Sequence, residues 1–155
     1  LNVEGDLNVG MIMRSASLFG CEQAYIFGRR RIDRRSLVGT QNYLPIAFVD
    51  GLNDDDTLSL ADFKEFVDRQ SSEGYMIVAL EQGGVPLHEI AWKNDDTPET
   101  DKVLFVVGNE STGIPKDFLD CVDLVVSIPQ VGVLRSFNVA AAANILMWDF
   151  ISKTL

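Results

Sequence analysis

Three short segments hold residues whose types and spacing could do polar chemistry. Residues 104–115 read Leu-Phe-Val-Val-Gly-Asn-Glu-Ser-Thr-Gly-Ile-Pro, an apolar run entering a glycine- and proline-bounded loop with one carboxylate, Glu110. Residues 128–140 read Ile-Pro-Gln-Val-Gly-Val-Leu-Arg-Ser-Phe-Asn-Val-Ala, which sets a hydroxyl and an amide, Ser136 and Asn138, two positions apart. Near the start, Asn8-Val-Gly-Met-Ile-Met-Arg14 puts an amide and a guanidinium at the front of a helix. Arg, Asn, Glu and Ser together suit orienting and polarising a substrate rather than covalent catalysis.

Other chemistries lack their parts. His88 is the single histidine and has no cysteine nearby, so neither a metal site nor a Ser-His-Asp triad is expected. Neither GxGxxG nor GxxxxGK[ST] occurs; Gly108–Gly113 has a similar outline, but no lysine follows it. Cys21 and Cys121 stand a hundred residues apart without a CxxC partner, as expected of buried free thiols in a reducing compartment. The cytoplasm is the expected location, with the nucleus as the alternative. No apolar run approaches the roughly 20 residues that cross a bilayer, so no membrane partner is expected. The opening residues lack a signal-peptide pattern, and a first residue other than methionine is expected of a fragment or a processed form.

Charge is unevenly placed. The net charge of −10 argues against a surface that grips nucleic acid everywhere, yet residues 29–35 hold Arg29, Arg30, Arg31, Arg34 and Arg35 against one aspartate. That segment carries +4 and everything outside it −14. It could contact a polyanion at one place, or its arginines could pair with the abundant acids.

The elements that must position these residues follow from hydropathy. Apolar runs at 24–27, 46–49, 76–80, 103–107 and 124–128 are nearly continuous Val, Ile, Leu and Phe, the pattern of parallel strands covered on both faces. Residues 1–3 read as the remnant of one more strand. Helices are predicted over 9–19, closed by Gly20, over 57–71 with Ser59 and Asp62 at its start, over 115–121, and over 139–153. The last is apolar nearly all round, which predicts burial on more than one side and suggests a dimer interface. Residues 53–56 and 93–101 read as surface loops. One α/β domain with a mainly parallel sheet flanked by helices is expected over 1–155. In such a sheet ligands sit beyond the carboxyl ends of the strands, where Glu81, Gly108 and Pro129–Gln130 fall. If those strands are neighbours, their ends form one wall fit for adenine.

The three segments, in this order and at these spacings, resemble the motifs of the SpoU (TrmH-like) family of SPOUT RNA 2′-O-ribose methyltransferases. The resemblance runs from Asn8 to the last helix. It rests on Asn8 and Arg14, on Gly108, Glu110 and Gly113, and on Ile128, Pro129, Gly132, Ser136 and Asn138. It implies a C-terminal trefoil knot, a homodimer formed through the last helix, and S-adenosylmethionine as methyl donor, released as S-adenosylhomocysteine. It implies that Leu80, Glu81, Gly108, Glu110, Ile128, Gln130, Phe137 and Asn138 bind the cofactor. Arg14 would lie at the target ribose as base or positioning group, oriented by Asn8, Glu110, Ser136 and Asn138. Because a free guanidinium has a pKa above about 12, positioning is the favoured role. The resemblance also makes backbone crossings of Gly108, Gly113 and Gly132, and makes the arginine segment the site where RNA docks.

Within the family, Ile-Pro-Gln-x-Gly-x-x-Arg-Ser looks most like the eukaryotic tRNA D-loop guanosine enzymes. Transfer RNA is therefore the expected substrate, with ribosomal RNA, or a catalytically silent RNA-binding domain, as alternatives. Phe137 stands where leucine is usual and Ala140 where serine is frequent. Singly, the motif residues have plainer explanations: Asn8 as a helix cap, Arg14 paired with Glu22, Glu110 capping the helix after Pro115, Ser136 and Asn138 capping the last one. Capping does not explain their joint occurrence.

Overall fold

The computed structural model describes residues 1–92, 102–134 and 136–155; the loop expected at 93–101 and Arg135 of the third motif lie outside them. Five strands form where the apolar runs stand: β1 (Ala24–Phe27), β2 (Ile46–Val49), β3 (Met76–Pro86), β4 (Val103–Val107) and β5 (Leu124–Ser127). Among the described residues these strands pair only in parallel, in two hydrogen-bonded ladders, β1-β2 and β4-β3-β5. β3 runs six residues past its apolar stretch, because Val85 and Pro86 regain β5 after a register shift that bulges the chain at Glu81–Gly84.

Among the described residues four α-helices cover the strands: α1 (Asp6–Leu18), α2 (Leu60–Ser72), α3 (Lys116–Leu119) and α4 (Val139–Thr154). The start of α1 lies three residues before the expected one. Extended Gly5 is its N-cap and Asp6 puts a carboxylate in its first turn, where the helix dipole favours an anion. Gly20 ends it with φ +76°, letting the Cys21 N–H reach back to the Ala16 carbonyl at 2.9 Å. The Ser59 hydroxyl caps α2 by accepting from the Asp62 N–H at 3.2 Å.

The core divides along the strands. Val9, Met13 and Ala16 of α1 meet Ala143 and Met147 of α4 over Ile26. On another side Phe63 and Phe66 of α2 and Phe118 of α3 pack on Ile77, Ala79 and Val106, with the Phe63 and Phe118 rings stacked 4.8 Å apart. Each such fully buried side chain stabilises the fold by roughly 1.5–3 kcal/mol before entropy is counted. The small face of α4 is needed for its close approach to α1, since Ala140 and Ala143 are buried while Ile145 and Trp148 face outward. Trp92 donates to Asp149 at 2.7 Å, and Lys153 to the Leu87 carbonyl at 2.7 Å, fixing the far end of α4.

Candidate active site

The carboxyl ends of β3, β4 and β5 converge, because β3 lies between the other two. They open into a cleft of about 370 Å³. Leu80, Gly108 and Ile128 form its strand-end wall, and Gln130 and Phe137 close it from the segment leading to α4. Seven of the eight residues expected to bind cofactor therefore line one cavity, Glu81 and Glu110 included; Asn138 is set beside it.

Gly108 and Gly113 make the cleft. A Cβ on Gly108 would stand 2.6 Å from the carbonyl carbon of Gly113, inside any real contact distance. Gly113 has φ +68°, where a side chain is strained, and a Cβ there would meet the Glu81 carboxylate at 2.5 Å. Main chain can fold this tightly only where these two positions carry no side chain. Glu81 ties the turn to the bulge of β3, accepting from the Ile114 N–H at 2.8 Å and the Gln82 N–H at 2.9 Å. Gly132 behaves differently: among the described residues nothing lies within 4 Å of a Cβ built on it and its φ is not positive, so no contact among them requires a glycine there.

At the lip, Glu110 draws distant segments together. It accepts from the Glu4 N–H at 2.8 Å, the Gly5 N–H at 3.4 Å and the Asn8 amide at 2.6 Å. Burial alone would raise its carboxyl, but these donors outweigh that and hold its pKa below the ordinary value. Asn8 in turn accepts from Asn138 Nδ2 at 3.0 Å, while Asn138 Oδ1 takes the Ala140 and Ala141 N–H groups as the cap of α4. Asn138 thus both caps a helix and joins the site. Glu110 caps nothing at α3, and Asn8 sits inside the first turn of α1 rather than at its cap. Ser136 lies on the cleft wall, exposed.

Arg14 is set apart. Six helical positions beyond Asn8 amount to about 9 Å of rise and about 120° of rotation. The side chain accordingly projects from the exposed face of α1 among Leu7, Met11 and Leu18, with no hydrogen bond or ion pair to the described residues. Glu22 does not pair with it.

The arginine segment divides. Arg29 is drawn into the fold: it donates to the Val3 carbonyl at 2.7 Å and pairs closely with Asp6, whose carboxyl is held low chiefly by the Asp33 N–H and then by this guanidinium. Its guanidinium is thus engaged within the fold. Arg30 reaches Asp50 at 3.3 Å, and Arg35 pairs with Asp33 at 2.6 Å. Arg31 and Arg34 have no such partner among the described residues.

Sequence reasoning missed Asn109. Its Oδ1 accepts from the Ser111 and Thr112 N–H groups at 2.8 and 3.0 Å, and its Nδ2 donates to the Asn2 carbonyl at 2.9 Å. An asparagine directly after a strand-end glycine is the signal of such a turn. Among the described residues no three His, Cys, Asp or Glu side chains gather as metal ligands, and no helix is long and apolar enough to cross a membrane.

Comparison with known proteins fits this geometry. A sequence model of the SpoU rRNA Methylase family matches residues 1–148. The chain is 24% identical over 157 residues to mouse (Mus musculus) tRNA (guanosine(18)-2′-O)-methyltransferase TARBP1, covering 99% of this chain and 9% of that protein. It is 27% identical over 148 residues to Bacillus subtilis 23S rRNA (guanosine(2553)-2′-O)-methyltransferase RlmP, covering 91% and 52%. The crystal structure of an AdoMet-bound rRNA methyltransferase from Sinorhizobium meliloti superposes with a TM-score of 0.76 at 25% identity, over 97% of this chain and 53% of that one. This chain thus spans about half, or far less, of the length of these relatives. With three ordered motifs meeting at one strand-end cleft and a match along nearly the whole length, the chain belongs to the SpoU methylase family.

Proposed function

We propose that the chain carries the active site of an S-adenosylmethionine-dependent RNA ribose 2′-O-methyltransferase. One observation supports this reading above the others: Glu110 and Asn138, each more than a hundred residues from Asn8, form with it one hydrogen-bonded relay at the lip of a cleft walled by glycine turns. The fit to the cofactor is steric first, because the tight turn that Gly108 and Gly113 permit, and that a Cβ on either would force apart, leaves main-chain groups beside an open cleft for a flat adenine.

When bound, the sulfonium supplies an activated methyl group. The protein supplies placement: Leu80, Ile128 and Phe137 hold the adenosine against the wall, and Glu110, Asn8, Ser136 and Asn138 orient the ribose. Arg14 steadies the 2′-hydroxyl and its neighbouring phosphate, with proton removal as its alternative role. In-line alignment of hydroxyl oxygen and methyl carbon is the dominant source of rate. Arg14 stands outside the cleft of its own chain, amid exposed Leu7, Met11 and Leu18, and Trp148 of α4 faces outward beside Phe19, apolar surface consistent with a homodimer. A trefoil-knotted passage of the segment before α4 belongs to the same reading, as does a cytoplasmic location.

Transfer RNA, at a D-loop guanosine, is the first substrate, in keeping with the name of the mouse relative. The name of the Bacillus relative favours ribosomal RNA as the second reading. Titration calorimetry with S-adenosylmethionine and S-adenosylhomocysteine tests the site directly. Binding of both is expected; binding of neither would leave a silent RNA-binding domain. Transfer of labelled methyl to tRNA but not to rRNA would decide between the substrates.

A further inference from the structure

The arginine segment lies along α1 rather than free of it. The Asp33 N–H donates to Asp6, in the first turn of α1, at 2.9 Å. Three residues on, in a 3₁₀ turn over Arg34–Leu37, the Ser36 main chain crosses Gly10. The crossing is so close that a Cβ on Gly10 would stand 2.6 Å from the Ser36 carbonyl carbon. A 3₁₀ rise of about 2.0 Å per residue and an α-helical rise of about 1.5 Å make both steps about 6 Å long. The two runs therefore advance together toward Arg14, one turn beyond Gly10 and about 40° around the axis. A second 3₁₀ turn, Thr40–Asn42, keeps the segment against α1.

The inner side of this segment is pinned and its outer side is bare. Leu37, Thr40 and Leu44 are buried. Between them Val38 has φ +48°, strained for a β-branched residue, and burial on either side holds it there. The outer side presents Arg34, Gln41, Asn42 and Tyr43, the last of them 84% exposed. The side chains of Arg34 and Tyr43 have no hydrogen-bonding, ionic or ring partner among the described residues. Residues 34–49 hold no acid in a chain that has 23. Asp6, the one acid of α1, is occupied by Arg29 and the Asp33 N–H.

We propose that residues 34–43 form a subsite for one unpaired nucleotide beside the ribose to be methylated, its base stacked on Tyr43 and its phosphate held by Arg34. The inference rests on the RNA methyltransferase reading and adds to it a place for a neighbouring nucleotide. Nucleic acid suits this surface better than protein does. On a body of net charge −10, a patch whose own charges are all guanidiniums attracts a polyanion, and an exposed ring takes any base by its face. A segment already held in one conformation also loses little freedom when it binds. The Gly10 crossing sets how far this nucleotide lies from Arg14. The subsite favours RNA loops over helices, because a base within a paired stack has no free face to offer.

The test is steady-state methyl transfer from labelled S-adenosylmethionine, measured across concentrations of the tRNA or rRNA transcript that the parent methylates. Tyr43→Ala and Tyr43→Leu are expected to raise KM for RNA about 5-fold or more, and Tyr43→Phe to keep it within about 2-fold. In all three, kcat and the calorimetric affinity for S-adenosylmethionine should hold, since Tyr43 lies outside the cleft and the relay. Its exposure leaves these variants folded, which their Tm checks. An unchanged KM in Tyr43→Ala would overturn the subsite. Leucine serving as well as tyrosine would overturn it too, by assigning the ring to an apolar contact with protein. A parent that methylates neither RNA fails the underlying reading, whereas an active parent with indifferent Tyr43 variants fails this inference alone.

Discussion

β1 and β4 both end on a glycine, Gly28 and Gly108, that releases the chain into a polar loop, and the two loops could hardly differ more. After Gly108 the turn satisfies itself, Asn109 binding its own successors and Glu81 holding Ile114, so the space beside it stays open. After Gly28 the loop closes on the protein: Arg29 is bound to Val3 and Asp6, Arg30 to Asp50, and Arg35 to Asp33. A cluster of five arginines in the sequence thus offers two guanidiniums unpaired among the described residues, while a loop with a single carboxylate builds the cleft. Charge counted along a chain overstates the charge available to a ligand wherever carboxylates lie within reach.

The sharpest way to break this comparison is to fill the open side. Gly108→Ala drives a methyl into the Gly113 backbone, and we expect S-adenosylmethionine binding to be lost and stability to fall by about 1–3 kcal/mol. Calorimetry and denaturant unfolding read the two effects, and unimpaired cofactor binding would remove the cradle from the argument. Next in size, Arg14→Ala should lower methyl transfer by about 10²–10⁴-fold while cofactor affinity holds, since Arg14 is outside the cleft. Full turnover in that variant would exclude the residue from the chemistry.

The arginine loop is sharpened by separating its members. Arg29→Ala should destabilise the fold and leave the salt dependence of RNA binding unchanged. Arg31→Ala with Arg34→Ala should spare stability and flatten the slope of log K against log salt by about 1.4, at roughly 0.7 for each single-strand phosphate that is no longer neutralised. The reverse outcome would mean that the ion pairs open when RNA arrives. The smallest effect is that of pH on Glu110. A carboxyl held below its unfolded value stabilises the fold above that value, about 4.3, and loses the contribution as pH falls through its folded pKa. The Tm values of the parent and Glu110→Gln should therefore differ at pH 6 and converge below pH 4; a constant difference would mean that the carboxylate charge is immaterial.

Much was legible from local pattern. The five apolar runs are the strands to within a residue, except where β3 continues through Gly83 and Gly84, and that extension depends on pairing with β5, which no local propensity encodes. Ser59 and Gly20 mark helix ends because capping chemistry is local. Among the site residues, the strand-end set was legible because parallel sheets place their loops together, which is why Leu80, Gly108 and Ile128 meet. The relay from Glu110 through Asn8 to Asn138 was not, since sequence spacing says nothing of which carboxylate faces which amide.

By itself, then, the sequence determined the strands, the caps and the residue types capable of chemistry, all consequences of neighbours a few bonds apart. Tertiary structure alone decided which arginines remain unpaired among the described residues, that Arg14 points away from Asn8, that no described residue crowds Gly132, and that β1 and β4 belong to separate ladders. These depend on interactions between segments tens of residues apart, where packing and the pairing of buried polar groups select one arrangement among many that the local pattern permits.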